Sequence, residues 1–263
     1  MTPLAAIEYG GNFEVPPVGE LFNFEGWTPF GELLAINRVV LITIASVLIV
    51  MALFTVAFRK PTIVPSKVQA AAEAIVQFIR EQIALDIIGK EGLKFVPFLT
   101  TLFMFIWLNN LFEIIPFVNF PSTSRIALPF FLAVISWLTF VIVGMRRQGA
   151  IRYFLAIAFP PGVPKAVYVL LTPIELVSTL ILRPFTLMIR LFANMVAGHI
   201  LLTIVFLAVH AFLVWGPGLP IGIFALVAAP LAIGFELFIG LLQAYIFVIL
   251  TAVYLAGSIH AEH

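Results

Sequence analysis

"AVYVLLTPIELVSTLILRPFTLMIRLFANMVAGHILLTIVFLAVHAFLV", residues 166–214, is an apolar run longer than a membrane crossing needs. As a helix rising 1.5 Å per residue it would extend roughly 70 Å, against a hydrocarbon core about 30 Å thick. A second run, Ile221 to Ser258, would reach roughly 55 Å, and "WGPGLPIG" joins the two. Either each run folds into two crossings, or both lie steeply tilted in the membrane. Pro173, Pro184 and Pro230 are places where the runs could bend. No charged or polar loop divides them, so a tilted helical hairpin is the favoured reading.

The rest of the chain agrees with this class. Of 263 residues, 62% are hydrophobic and only 10% charged, and the mean hydropathy is +1.15. Soluble domains carry roughly 25% charged residues, so the composition reads as an all-α polytopic membrane protein. Twenty-seven Phe residues suit lipid-facing surfaces. The absence of cysteine excludes disulfides, thiolate metal sites and a cysteine nucleophile. The N-terminal stretch, with Glu8, Glu14, Glu20, Glu25 and Glu32 and no Lys or Arg before Arg38, does not read as a signal peptide.

Working outward from the hairpin, three shorter spans are expected at about Val39–Phe58, Phe95–Ile115 and Ile126–Met145. Between the first two, Pro65 and Ser66 open a helix whose apolar residues Val68, Ala72, Ile75, Ile79 and Ile83 recur at three and four. That spacing predicts an amphipathic helix lying on a surface. Ten of the 14 Lys and Arg residues fall in two connectors: Arg59, Lys60, Lys67, Arg80, Lys90 and Lys94, then Arg146, Arg147, Arg152 and Lys165. By the positive-inside rule both face the cytoplasm, with the N-terminus outside and the C-terminus inside. The chain reads as one membrane domain. An acidic external tail covers 1–35, spans with cytoplasmic connectors cover 36–165, and the hairpin covers 166–263.

Few ionisable residues remain at membrane depth: Glu113, Glu175, Arg183, Arg190, His199, His210 and Glu236. Such residues are candidates for function, because a charge in the bilayer is costly. At 100° per residue, Arg183, Thr186, Ala193, Asn194 and Ala197 share the Arg190 face, which is small or polar and suited to close approach. His199 lies opposite. Folding the hairpin about Pro217 sets three polar pairs at three depths: His199 with Glu236, Arg190 with Gln243, and Glu175 with His260. Histidine and glutamate can exchange protons near neutral pH when their surroundings shift them, whereas arginine effectively cannot. Titratable groups on both sides of a permanent cation describe two proton half-pathways with a barrier between them.

"RPFTLMIRLFANMVAGH" (183–199) closely resembles the signature of subunit a of F-type ATP synthases. "VPSKVQAAAEAIVQFI", "FVPFLTTLFMFIWLNNLFEIIPF" and "LLQAYIFVILTAVYLAGSI" resemble that family's other blocks, in the expected order. The resemblance covers all but the first 35 residues or so. It implies a nearly horizontal hairpin beside a rotating ring of c subunits, with Arg190 as the essential stator arginine and Gln243 as its hydrogen-bonding neighbour. It also implies peripheral-stalk b-type subunits and the remaining synthase subunits as partners. A bacterial plasma membrane is the expected setting, although the sequence does not separate a bacterial from an organellar origin. Some members carry Glu at the position of His199 and His at that of Glu236, so this chain has the pair exchanged. Glu113 stands where many members have Gly and some an acid.

The candidate site is therefore Arg190, His199, Glu236, Gln243, Asn194, Glu113 and Glu175, with no cofactor, metal or nucleic acid expected. Arg183 reads as structural or interfacial, and His210 as interfacial. A phosphate-binding G-x-x-x-x-G-K-[ST] is absent, which places nucleotide chemistry on partners. Two other readings compete. A self-contained ion-coupled transporter would usually show two related halves, and none stands out. A non-conducting assembly scaffold would tolerate loss of Arg190.

Overall fold

The computed structural model describes residues 38–60, 62–115, 123, 125–159, 164, 167–214 and 216–259. Among them the secondary structure is helical, with no strand. Helix α1 is Arg38–Phe58, α2 Lys67–Ile79, α3 Val96–Leu111, α4 Ala127–Gln148, α5 Ala150–Ala158, α6 Tyr168–Val177, α7 Arg183–Phe212 and α8 Leu219–Ile259. Five helical stretches are long and apolar enough to cross a membrane. Helices suit these sequences because each satisfies its backbone N–H and C=O groups internally, as a bilayer demands.

The lipid-facing character shows in α1. Ile42, Ser46, Val50 and Ala57 make one narrow buried stripe, while Leu41, Leu48, Met51 and Val56 around it are exposed. Helix α3 is covered much more fully, with Leu99, Leu102, Met104, Ile106, Asn109 and Asn110 all buried.

Both long runs are continuous. The first extends over 45 residues, Tyr168–Phe212, and the second over 41, Leu219–Ile259. Neither folds into two crossings. Pro173 lies inside α6, and Pro230 inside α8. Between α6 and α7 the helix widens into a π-helical turn, Ser178–Leu182. Pro184 cannot donate to the carbonyl four residues back, and a wide turn just before it lets the helix continue. Helices about 60–70 Å long must run obliquely or protrude from a core of about 30 Å.

The connector after α1 begins as expected. Ser66 caps α2, its hydroxyl accepting from the Gln69 N–H at 3.3 Å. Helix α2 then passes into a π-helical segment, Arg80–Ile88, that stops at Gly89. A difference appears on its apolar stripe. Ala72, Ile79 and Ile83 are wholly buried, and Phe78 packs its ring 6.4 Å from Phe103 and 5.7 Å from Tyr245. The stripe is covered by the protein's own helices, which offer the same apolar contacts as lipid. Val68 alone of the five expected residues is exposed, and Gln69 takes its place on the buried side.

The chain divides into two compact units, and the long helices contribute to both. One unit comprises the described parts of Met1–Val47, Trp107–Arg125 and Phe192–Leu242. In it the second half of α7 packs against the first half of α8. A Cβ on Gly222 would strike the Phe212 backbone, and one on Gly198 would strike the Glu236 carboxyl group. The other unit comprises Leu48–Ile106, Ile126–Leu191 and the described part of Gln243–His263. There Arg183 lies over the Tyr254 ring, 5.1 Å from its centroid. Each unit by itself thus shows antiparallel pairing close to the Pro217 register.

Candidate functional site

In the first unit, which also contains His210, three of the ionisable residues come together. Glu113 lies just past the C-terminus of α3, where its backbone N–H bonds to the Asn110 carbonyl at 3.2 Å. His199 comes from α7 and Glu236 from α8, and all three are buried. His199 Nδ1 stands 3.5 Å from Glu113 Oε1. Glu236 is an electrostatic neighbour of both, and its carboxyl lies over Gly198. Glu113 Oε1 and Oε2 and Glu236 Oε1 make no well-formed hydrogen bond among the described residues. Two carboxyl groups and an imidazole this close cannot all hold independent charges, so their protons are shared as a set.

A polar network fixes the helices around this cluster. Asn110 Nδ2 donates to the Gly240 carbonyl at 3.0 Å, and Asn110 Oδ1 accepts from Thr123 Oγ1 at 2.9 Å. Gly240 is one turn beyond Glu236, and its missing side chain admits Asn110, whose Cβ would lie 3.1 Å from any Cβ at 240. Trp107, Asn110, Leu111, Ile114, Glu236, Leu237 and Gly240 line a crevice beside the carboxyl that is too tight to admit a water molecule. Sequence reasoning assigned roles to neither Asn110 nor Gly198. The signal available for the first was the amide pair "NN" inside an apolar helix.

The remaining candidates lie elsewhere. Arg190 is exposed on α7, in the second unit, and makes no ion pair among the described residues. Thr186, Ala193 and Ala197, on the same helical face, are exposed as well. Leu187, Leu191, Met195 and Leu202 fill the buried side. Gln243 is buried on α8 and makes no hydrogen bond to Arg190 among the described residues. Asn194 and Glu175 are half-buried. His260, expected opposite Glu175, lies outside the described residues. Arg183, through its contact with Tyr254, has a packing role.

An all-α chain with five apolar helices long enough to cross a bilayer belongs to the multi-pass membrane proteins. Comparison with known proteins narrows this. The model of the ATP synthase A chain family matches residues 39–256. Subunit a of the ATP synthase of Frankia alni is 42% identical over 252 residues, covering 94% of this chain and 87% of that protein. The Parafrankia sp. subunit a is 44% identical over 253 residues, 94% of this chain and 84% of its own length. That of Rhodococcus erythropolis is 42% identical over 230 residues, 86% and 84% respectively. The chain belongs to the ATP synthase subunit a family, and so is a membrane subunit of a rotary ATP synthase.

Proposed function

We propose that this chain is the proton-translocating stator subunit of the synthase, providing two half-channels that are kept apart by Arg190. The observation that carries the reading is the buried meeting of Glu113, His199 and Glu236, three titratable groups from α7, α8 and the turn that follows α3. Protons from outside pass along them to a carboxylate on a ring of c subunits. Protonated and neutral, that carboxylate turns through lipid. On its return it meets Arg190, whose fixed charge favours the ionised form. The proton then leaves to the inside past Glu175 and His260.

The exposed stripe Thr186, Arg190, Ala193 and Ala197 supports ring contact, since small side chains let a neighbouring helix slide past closely. Asn194 borders that stripe, and Gln243 holds Arg190 by a hydrogen bond in the working complex. The partners are the c ring, peripheral-stalk b-type subunits, the other synthase subunits and the bilayer. The setting is a bacterial plasma membrane with the N-terminus outside and the C-terminus cytoplasmic. Nucleotide chemistry belongs to partners, and this chain itself catalyses none.

An exchange experiment tests the cluster. His199→Ala and Glu236→Ala should each slow proton translocation by roughly 100-fold or more, the scale of a lost proton-transfer group, with the complex still assembled. His199→Glu combined with Glu236→His should recover more activity than either of its single components. A double variant no better than the product of the two singles means that the residues do not act together.

A further inference from the structure

Helix α5, Ala150–Ala158, has nine residues. At about 13–14 Å it is too short to cross a bilayer. The chain enters it through Gly149, whose φ of 84° lies in a region other residues rarely adopt, so α5 begins where the span α4 ends. Three contacts strap it down. Tyr153, 3% exposed, fills the notch left by Gly144, where a Cβ would run into the ring. At the far end Thr172 Oγ1 donates to the Ala158 carbonyl at 2.6 Å, and Phe159 meets Tyr168 edge-on at 5.3 Å.

Those contacts use one face of α5. Ile151 and Leu155 fall about 160° from Tyr153 and are 78% and 51% exposed, with Phe154 beside them at 38%. Arg146 and Arg147 end α4, Arg152 lies at the edge of the apolar face, and all three are exposed. Glu91 holds Arg147, whereas Arg146 and Arg152 have no carboxylate partner among the described residues. A rigid short helix therefore shows bare Ile, Phe and Leu flanked by unneutralised arginines at the mouth of a membrane span.

We propose that α5 is an interfacial anchor for anionic phospholipid. Ile151, Phe154 and Leu155 enter the acyl boundary, and Arg146 and Arg152 bind headgroup phosphates. The charge is complementary to such lipids, and the Gly149 elbow sets α5 at the level where headgroups lie. Three apolar side chains make a small fraction of the roughly 20–30 residues a side that a stable protein interface uses, which favours lipid over a protein partner. The inference is independent of the proton-pathway reading.

The chain's lack of cysteine permits the test. Ile151→Cys or Leu155→Cys is labelled with an environment-sensitive fluorophore, and the assembled complex is placed in phosphatidylcholine vesicles with or without phosphatidylglycerol. Brominated acyl chains should quench either label several-fold more than aqueous iodide does, and phosphatidylglycerol should increase that quenching. Arg146→Gln with Arg152→Gln should abolish the increase and keep the quenching in phosphatidylcholine, while Arg146→Lys with Arg152→Lys should keep both. Dominant iodide quenching would place the face in water, and protection from both quenchers would place a protein partner on it. Either result overturns the proposal, as does an increase that persists in the glutamine variant.

Discussion

Gly198 stands where the Glu236 carboxyl needs room, and the consequence is specific. A methyl group there must push the carboxyl away from His199 and Glu113 or spread α7 from α8. Gly198→Ala should slow proton translocation by up to about 100-fold, since displacements near 1 Å at a reacting group cost on that scale. Proton uptake in vesicles, normalised to assembled complex, checks this, and an unchanged rate means that the carboxyl position is unimportant. The types of the key residues were legible beforehand, because charges in an apolar chain stand out. Their neighbours were not. Asn110 and Gly240 meet across 130 positions, and neither an amide nor a glycine announces its partner in a linear sequence.

At the scale of elements, the expected spans match the observed ones closely, because apolar length and the positions of charges decide where helices can lie. That each long run continues unbroken was legible from the lack of any polar loop within it. Less visible was how the helix passes Pro184, where the π-helical Ser178–Leu182 turn replaces a break. The cover on the α2 stripe was also hidden: a lipid and a neighbouring helix demand the same apolar residues, so periodicity does not distinguish them. Helix α7 supplies a test of the proposed contact with the ring. Cysteine at 193 or 197 should form disulfides with cysteines placed near the c-subunit carboxylate, and cysteine at the buried 195 should not. Equal cross-linking at all three positions would exclude this face as the rotor surface. Helix α5 supplies a stability test. Gly144→Ala overpacks Tyr153 and should destabilise the fold by about 1–3 kcal/mol, read as a lowered temperature of thermal inactivation in detergent.

For the molecule as a whole, the account rests on one asymmetry. The titratable groups Glu113, His199 and Glu236 gather inside one unit, while Arg190 lies exposed on the small-residue face of the same long helix that bears His199. A structural arginine would be expected to find a carboxylate or an aromatic ring, as Arg183 finds Tyr254. An arginine that serves a passing carboxylate must instead be left open to it. Arg190→Ala is the direct test, with ATP-driven proton pumping measured in inverted membrane vesicles and assembly checked on a native gel. The account predicts a fully assembled complex that pumps no protons, with Arg190→Lys restoring little because a lysine ammonium is a differently hydrated point charge that deprotonates more readily when buried. Normal pumping by the assembled Arg190→Ala complex would contradict it.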